Sequence, residues 1–187
     1  MKKLSSVLYI AVFCLLLTAC GNTALTGDPV SYSNSGNSFS IDLPTANENA
    51  WVVNEETADD TLDISDAADS INIQIQCLAK NQAEYIASDL TAYENYSVVN
   101  MIGSLISDME FTDAAVEVPD FITNSKMEGF TLKQGDDTVK GNLVFLESDS
   151  YYYTIMIMAI DETYDINEKA LLESISSLKE LEAPAQK

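Results

Sequence analysis

Alternating apolar and polar positions mark the first strands of the chain. Residues 39–43 place an apolar side chain at every second position, and residues 51–53 follow after a polar turn. Residues 71–77 alternate in the same way, with isoleucine at three of the four apolar positions. An alternation of period two places one side of a strand in the core and the other side towards polar surroundings. These three segments therefore predict β-strands.

The spacing changes to that of an α-helix between residues 82 and 109. Apolar side chains recur there mostly at intervals of three to five, which predicts one helix, or two with a break near residues 95–97. The apolar positions are Tyr85, Ile86, Leu90, Tyr93, Val98, Ile102, Leu105 and Met109.

The second half of the chain returns to strands and ends in a helix. Strands are predicted at 115–118, 129–133, 139–146 and 151–160. The last of these is apolar on both faces, which is typical of a central strand covered on both sides, here by helices. A capping box predicts the start of the closing helix, with Asp165 as the cap and Glu168 three residues later. Its buried stripe consists of Leu171, Leu172, Ile175 and Leu178.

The order of these elements indicates the fold class. Consecutive short strands joined by polar turns favour antiparallel pairing, so the pattern predicts an α+β fold with a predominantly antiparallel sheet sandwiched between helices. A single domain is expected over residues 39–182. Residues 20–38 are small and polar and are predicted to form a flexible tether, and residues 183–187 form a tail.

The first nineteen residues have the three regions of a signal peptide. Lys2 and Lys3 precede an apolar run over residues 7–17, and small residues follow immediately before Cys20. The run is shorter than the roughly 20 apolar residues of a spanning helix. Residues 1–19 are therefore interpreted as a cleaved export signal.

Leu17-Thr18-Ala19-Cys20 resembles the lipobox of bacterial lipoproteins. The resemblance implies cleavage before Cys20 and a diacylglycerol thioether on its sulfur. Two acyl chains are sufficient for stable membrane attachment. The protein is therefore expected on the cell membrane, lipid-anchored and facing outside the cytoplasm. Asn22 replaces the aspartate that retains some lipoproteins at the inner membrane, so an outer-membrane location is open if the source has one.

Charge excludes several classes of partner. The chain has a net charge of −21, and it contains neither arginine nor histidine. Removal of the signal takes two lysines and no acids, which brings the net charge to −23. Nucleic-acid binding is not expected, because it depends on clustered lysine and arginine. An anionic lipid surface would also repel the domain, so the lipid on Cys20 must provide the membrane attachment.

The cysteines leave no pair for a disulfide. Cys14 is removed with the signal and Cys20 is lipidated, so Cys77 remains alone. It continues the alternation of residues 71–77 and is predicted to be a buried core thiol.

Candidate chemistry is sparse. The absence of histidine excludes His-based triads and zinc sites. Ser176 and Lys179 match the S-x-x-K pattern, but both are expected on the outer face of the closing helix, which does not favour catalysis. Paired carboxylates for acid/base chemistry would have to face each other across a cleft. Neither a catalytic residue nor a cofactor site is predicted, and the chain is not expected to be an enzyme.

Two further segments are candidate binding sites. The acidic segment 55–69 has carboxylates suited to weak binding of a divalent cation such as Ca²⁺, but it lacks the ligand order of an EF-hand and is interpreted as a solvated loop. Within it, Leu62 and Ile64 are expected to point inward. The tyrosines at 151–153 suit ligand contact, although their apolar strand favours a place in the core and on the sheet face.

The chain resembles the PsbP-like superfamily. The similarity rests on residues 39–44 followed by Trp51, the mid-chain helix, the apolar strand at 151–160 and Ile175-Ser176-Ser177-Leu178-Lys179. It implies an antiparallel sheet between helices and a role in binding protein partners, and it carries no shared active site. The sequence therefore predicts a membrane-anchored, extracytoplasmic, non-catalytic lipoprotein that binds another protein or assists envelope assembly. The alternative is capture of a small ligand or divalent cation for a transporter.

Overall fold

The computed structural model describes residues 24–46, 51–55, 57–66, 70–103, 108–134 and 137–181. The predicted signal at 1–19, the lipidation site Cys20 and the tail at 183–187 lie outside the described residues. The elements in chain order are β1 (Gly27–Ser33), β2 (Phe39–Thr45), β3 (Val52–Val53), β4 (Thr61–Ser65), β5 (Ile71–Ala79), α1 (Lys80–Ala83), α2 (Leu90–Met101), β6 (Met109–Ala114), β7 (Asn124–Gln134), β8 (Asp137–Glu147), β9 (Tyr151–Ile160), α3 (Asp161–Ile175) and β10 (Lys179–Glu180).

The strands form two antiparallel sheets. The larger has seven strands in the order β3–β4–β5–β9–β8–β7–β6, and the smaller has three in the order β1–β2–β10. The predicted α+β class and the antiparallel pairing are confirmed. The second sheet was not predicted, because the alternation in β2 reports which face is buried and carries no information about which strand lies beside it.

β9 lies at the centre of the larger sheet, as its apolar composition predicts, between β5 and β8. Ile155 and Ile157 belong to a core that also contains Phe39 of the smaller sheet and Leu171 of α3. On the opposite face, Met156 belongs to a second core that includes residues of α2. One face of β9 is therefore covered by a helix, and the other by a helix together with the smaller sheet.

The flexible tether predicted for residues 20–38 is wrong for its described part. β1 pairs with β2, with Ser33 opposite Ser40. Before β1, Leu25 is buried and its backbone N–H donates to Asn167 Oδ1 at 2.7 Å. This strand was not predicted, because β1 is a mostly exposed edge strand and has no apolar periodicity.

The helical region differs from the prediction in the place of its break. α2 runs without interruption through residues 95–97, and the break is a turn at residues 84–89. Asp89 begins α2, since its carboxylate accepts a hydrogen bond from the Ala92 N–H at 2.8 Å. Tyr85 lies in the turn and is 94% exposed, and Met109 belongs to β6. Apolar spacing could not separate a helix from a turn followed by a shorter helix.

The strand predicted at 115–118 is also wrong. The strand of this region is β6, and residues 115–119 are irregular. Val116 and Val118 pack against the core without strand pairing. The predicted alternation of buried and exposed side chains is therefore present, but such an alternation does not require that the segment pairs with a neighbouring strand.

The closing helix begins earlier than the capping box indicated. α3 starts at Asp161, after Ile160, which makes no side-chain cap. Asp165 lies one turn inside the helix, and its carboxylate pairs with Lys140 Nζ at 2.8 Å. Leu171 and Ile175 are buried as predicted.

Candidate interaction surface

A contiguous polar surface lies on one face of β4 and β5. The alternation of both strands turns Leu62, Ile64, Ile73 and Ile75 into the core and leaves polar residues on the other face. We define the β4–β5 polar face as Thr61, Asp63, Ser65, Asn72, Gln74 and Gln76, of which Thr61 and Asn72 are buried and the other four are half-buried. The strand register places these residues directly opposite one another in three cross-strand pairs. The surface therefore has a fixed backbone beneath it.

Asp63 organises the centre of this face. Its Oδ1 accepts a hydrogen bond from Asn72 Nδ2 at 2.8 Å, and its Oδ2 accepts one from Asn54 Nδ2 at 3.2 Å. Asn72 Nδ2 also donates to the backbone oxygen of Ile64 at 3.3 Å. Both carboxylate oxygens are thus held by amides, and this arrangement fixes the orientation of the Asp63 side chain.

Gln74 and Gln76 differ from these residues. Both are half-buried, and neither side chain has a hydrogen-bond partner among the described residues. An amide offers two N–H donors and a carbonyl acceptor. On β9 the same sheet face continues with Thr154 and Met156, which lie directly opposite them and are buried beneath α2, so the two amides lie at the margin of this core. These two amides are therefore available to a molecule that binds at this face.

The described residues of the acidic segment 55–69 include the strand β4 and are not all solvated loop as was predicted. Leu62 and Ile64 are buried in β4, which confirms their predicted inward orientation. The backbone oxygen of Asp59 accepts from the Gly36 N–H at 2.9 Å and from Asn34 Nδ2 at 2.5 Å. These bonds attach the segment to the β1–β2 hairpin. The described residues contain no group of three histidine, cysteine or acidic side chains that could hold a metal ion.

The tyrosines at the start of β9 belong mainly to the core, as favoured by the sequence. Tyr153 is buried, its ring meets Phe39 edge-on at 6.0 Å, and its hydroxyl donates to Glu180 Oε1 at 3.1 Å. Burial and the neighbouring Glu180 carboxylate raise the pKa of Tyr153. Tyr152 stacks on Tyr93 with ring centroids 4.9 Å apart. Packing of this kind leaves Tyr152 and Tyr153 as structural residues.

The S-x-x-K pair is not assembled. Ser176 follows the end of α3, and its Oγ donates to the backbone oxygen of Glu173 at 2.8 Å. Lys179 lies in β10, where its Nζ pairs with Asp42 at 3.1 Å. The expected placement of both residues on the outer helix face is therefore wrong, because the helix ends at Ile175.

Cys77 is a buried core thiol, as predicted. Desolvation raises the pKa of its thiol to about 11. The reactive thiolate is thus scarce at neutral pH, and the side chain has the character of an apolar core residue.

The described lysines are almost all occupied by internal carboxylates. Five of these six lysines form ion pairs within the chain. The pairs are Lys80–Glu147, Lys126 with Glu94 and Glu128, Lys140 with Asp161 and Asp165, Lys169–Glu173 and Lys179–Asp42. An anionic partner would have to compete with these carboxylates, so the described surface favours neutral or basic partners.

Solved structures share this architecture. Cyanobacterial PsbP from Synechocystis superposes with a TM-score of 0.55 at 12% sequence identity, over 88% of this chain and 98% of the PsbP chain. The protein has a PsbP-like fold. The predicted resemblance is therefore confirmed at the level of the fold.

A second structure shares the PsbP-like fold of this chain over part of its length. A Bacteroides thetaiotaomicron protein superposes with a TM-score of 0.53 at 10% identity, over 82% of this chain. The match covers 48% of the Bacteroides protein, so the present chain spans about half the length of that relative. No family model matches the chain, and no curated protein matches it in sequence. Within the described part of the PsbP-like chain, no helix has the length and hydropathy needed to cross a bilayer.

Proposed function

We propose that this protein is a lipid-anchored, extracytoplasmic accessory domain that binds another protein without catalysing a reaction. The observation that carries the proposal is the β4–β5 polar face. It presents Gln74 and Gln76 as half-buried amides with no described hydrogen-bond partner, on a face fixed by strand pairing. Hydrogen bonds between such amides and a complementary surface make the binding of a partner specific.

Two further features support the proposal. The regions of residues 1–19 and the lipobox-like residues 17–20 favour export and attachment through a lipid on Cys20. The PsbP-like fold is the second, since the resemblance implies a role in binding protein partners. A membrane tether also favours association with neighbours on the same membrane, because it raises their effective concentration.

Cys20→Ala is expected to yield an unprocessed precursor that carries no lipid. The change removes the sulfur on which the thioether would form, so the cleavage before residue 20 that follows lipidation should not occur. Metabolic labelling with a radioactive fatty acid, followed by immunoprecipitation, measures the result. Cys77→Ala is the matched control and should label normally. Normal labelling of the Cys20→Ala protein would refute the anchoring part of the proposal.

Protein binding is tested by crosslinking in cells, followed by capture of the tagged full-length protein from membranes. We expect a stoichiometric partner whose yield falls roughly tenfold or more with Gln74→Ala/Gln76→Ala, because two hydrogen bonds worth about 1 kcal/mol each are lost. Since neither amide has a described partner, stability should change by less than about 0.5 kcal/mol.

Gln82→Ala is the matched control, because Gln82 is an exposed amide on α1 and outside the β4–β5 polar face. Its capture yield should equal that of the unmodified protein. Equal yields for all three proteins would remove the polar face from the proposal, and failure to capture any partner would contradict the binding function itself.

A further inference from the structure

Four strands form the edges of the two sheets, and they differ in how they are protected. β3 and β10 have two residues each. β1 contains Pro29 and a register shift between Gly27 and Val30. Short edges, prolines, bulges and charged side chains are the common devices that prevent pairing with another chain. These three edges are therefore poor templates for an additional strand.

Of these devices, β6 has only the charged side chains. It has six residues, contains no proline and keeps a continuous register with β7, from Met109 opposite Leu132 to Ala114 opposite Met127. β7 is the only strand that pairs with it in the described part of the chain. An edge strand of this kind presents a row of unpaired N–H and C=O groups on its outer side.

The side chains of β6 are acidic on both faces. Glu110 and Asp113 are exposed, and neither has an ion pair or hydrogen bond among the described residues. Their spacing of three places them on opposite faces of the strand. Phe111, which is 37% exposed, lies between them and opposite Phe130. An added strand would thus meet a carboxylate on each face and an aromatic ring.

Two carboxylates lie opposite each other where β6 pairs with β7. Asp113 lies directly opposite Glu128 of β7, and like charges in this position disfavour pairing. Lys126 contacts Glu128 of this pair, but it also contacts Glu94. One lysine therefore serves two carboxylates, and Asp113 is left without compensation.

The same charges argue against a second copy of this chain as the occupant. A second copy of β6 would bring its own Glu110 and Asp113 to the contact, so four carboxylates would lie along one pair of strands. The chain also carries a net charge of −21, so two copies repel each other.

We propose that β6 accepts an extended basic segment of a protein partner, which adds to the seven-stranded sheet as an eighth, antiparallel strand. Its residues opposite Asp113 and Glu110 are lysine or arginine, and its residue opposite Phe111 is apolar. Read from its N-terminus, the segment has the order basic, any, apolar, basic. This inference rests on the proposed binding function and specifies a docking edge and the chemistry of the partner.

The probe is a fluorescein-labelled peptide, Thr-Lys-Thr-Val-Lys-Thr, in which the two lysines face the two carboxylates of β6. Binding to the full-length protein in detergent micelles is followed by fluorescence anisotropy at about 20 mM and about 500 mM salt. Affinity should fall at the higher salt, where charges are screened within roughly 4 Å. Hydrogen exchange measured by mass spectrometry should show slower exchange of the amides of residues 109–114 when the peptide is bound.

Charge reversal provides the decisive comparison. Glu110→Lys/Asp113→Lys should weaken binding on the order of tenfold, because two exposed ion pairs become repulsive. The reversed variant should instead bind the peptide in which both lysines are replaced by glutamate. Asp137→Lys/Asp149→Lys is the matched control, since it makes the same charge change at exposed sites outside β6 and should bind the original peptide normally. Circular dichroism checks that each variant is folded.

Equal binding by the two double variants would overturn the inference, as would binding without protection of residues 109–114, because charge attraction alone would then explain it. The outcome is separable from that of the proposed function. If crosslinking captures a partner equally well with Glu110→Lys/Asp113→Lys and the peptide does not bind, the edge inference fails and the binding function stands. If the peptide binds and its preference is reversed in the charge-reversal variant, but crosslinking in cells captures no partner, the inference about β6 is supported and the proposed function is contradicted.

Discussion

Gly141→Ala is expected to destabilise the protein by about 3 kcal/mol, at the upper end of the cost of overpacking. A Cβ at this position would lie 2.0 Å from the backbone oxygen of Ile157 and 2.6 Å from Cζ of Phe130. The Ile157 oxygen belongs to the central strand β9, which cannot move without disturbing both neighbouring strands. Phe130 lies directly opposite Gly141 and covers it with its ring, an arrangement that compensates for the missing side chain.

Urea unfolding followed by circular dichroism measures this loss, and Gly129→Ala is the matched control. Gly129 is also a glycine within the sheet, but the nearest obstacle to a Cβ there is Thr112 Oγ1 at 2.7 Å, on the edge strand β6. A side chain at an edge can shift more easily than the backbone of a central strand, so the control should lose clearly less stability. Equal losses in the two variants would show that the β9 backbone is not the obstacle.

Asp66→Ala is expected to cost about 3 kcal/mol, since it removes charge-assisted hydrogen bonds and leaves buried donors without partners. Asp66 Oδ1 accepts from the backbone N–H groups of Ser70 at 2.6 Å and Ile71 at 2.7 Å, and its Oδ2 accepts from Ser70 Oγ at 3.0 Å. Ser70 is fully buried, so water cannot easily replace the carboxylate. Chemical denaturation at neutral pH measures the change.

Asp59→Ala is the control for this prediction, because Asp59 belongs to the same acidic segment and is exposed. The Asp59→Ala variant should lose no more than about 0.5 kcal/mol of unfolding free energy. Calcium separates the structural role of Asp66 from a role as a ligand. If Asp66 were part of a cation site, millimolar calcium would raise the melting temperature of the unmodified protein and not that of Asp66→Ala. We expect no shift of the melting temperature in either protein. A rise in the unmodified protein alone would instead support cation binding by the acidic segment.

The sequence was most informative where burial and strand pairing coincide. β5 and β9 are central, so their apolar positions report the strand itself, and both were placed almost to the residue. β1 was missed because an exposed edge strand is stabilised by backbone hydrogen bonds, which leave no mark on the hydrophobic pattern. The opposite error occurred at residues 115–118, where burial occurs without a strand.

The candidate surface shows the same division. The outward positions of Gln74 and Gln76 follow from the alternation of residues 71–77, and a polar face was predicted there. Their lack of internal partners depends on what lies next to β5 in space, and this depends on the strand order. The exposure of β6 was equally hidden, since an edge is a property of the assembled sheet and not of one segment.

The burial of Leu25 would limit how far the domain could lie from a lipid on Cys20. Leu25 is the fifth residue after Cys20, so the chain between them spans at most about 17 Å when fully extended. A domain of this size is about 40 Å across. The segment that connects it to a lipid on Cys20 would therefore be shorter than the diameter of the domain. Its encounters would then be confined to a thin layer above the bilayer, and a partner that projects its binding segment beyond that layer would stay out of reach.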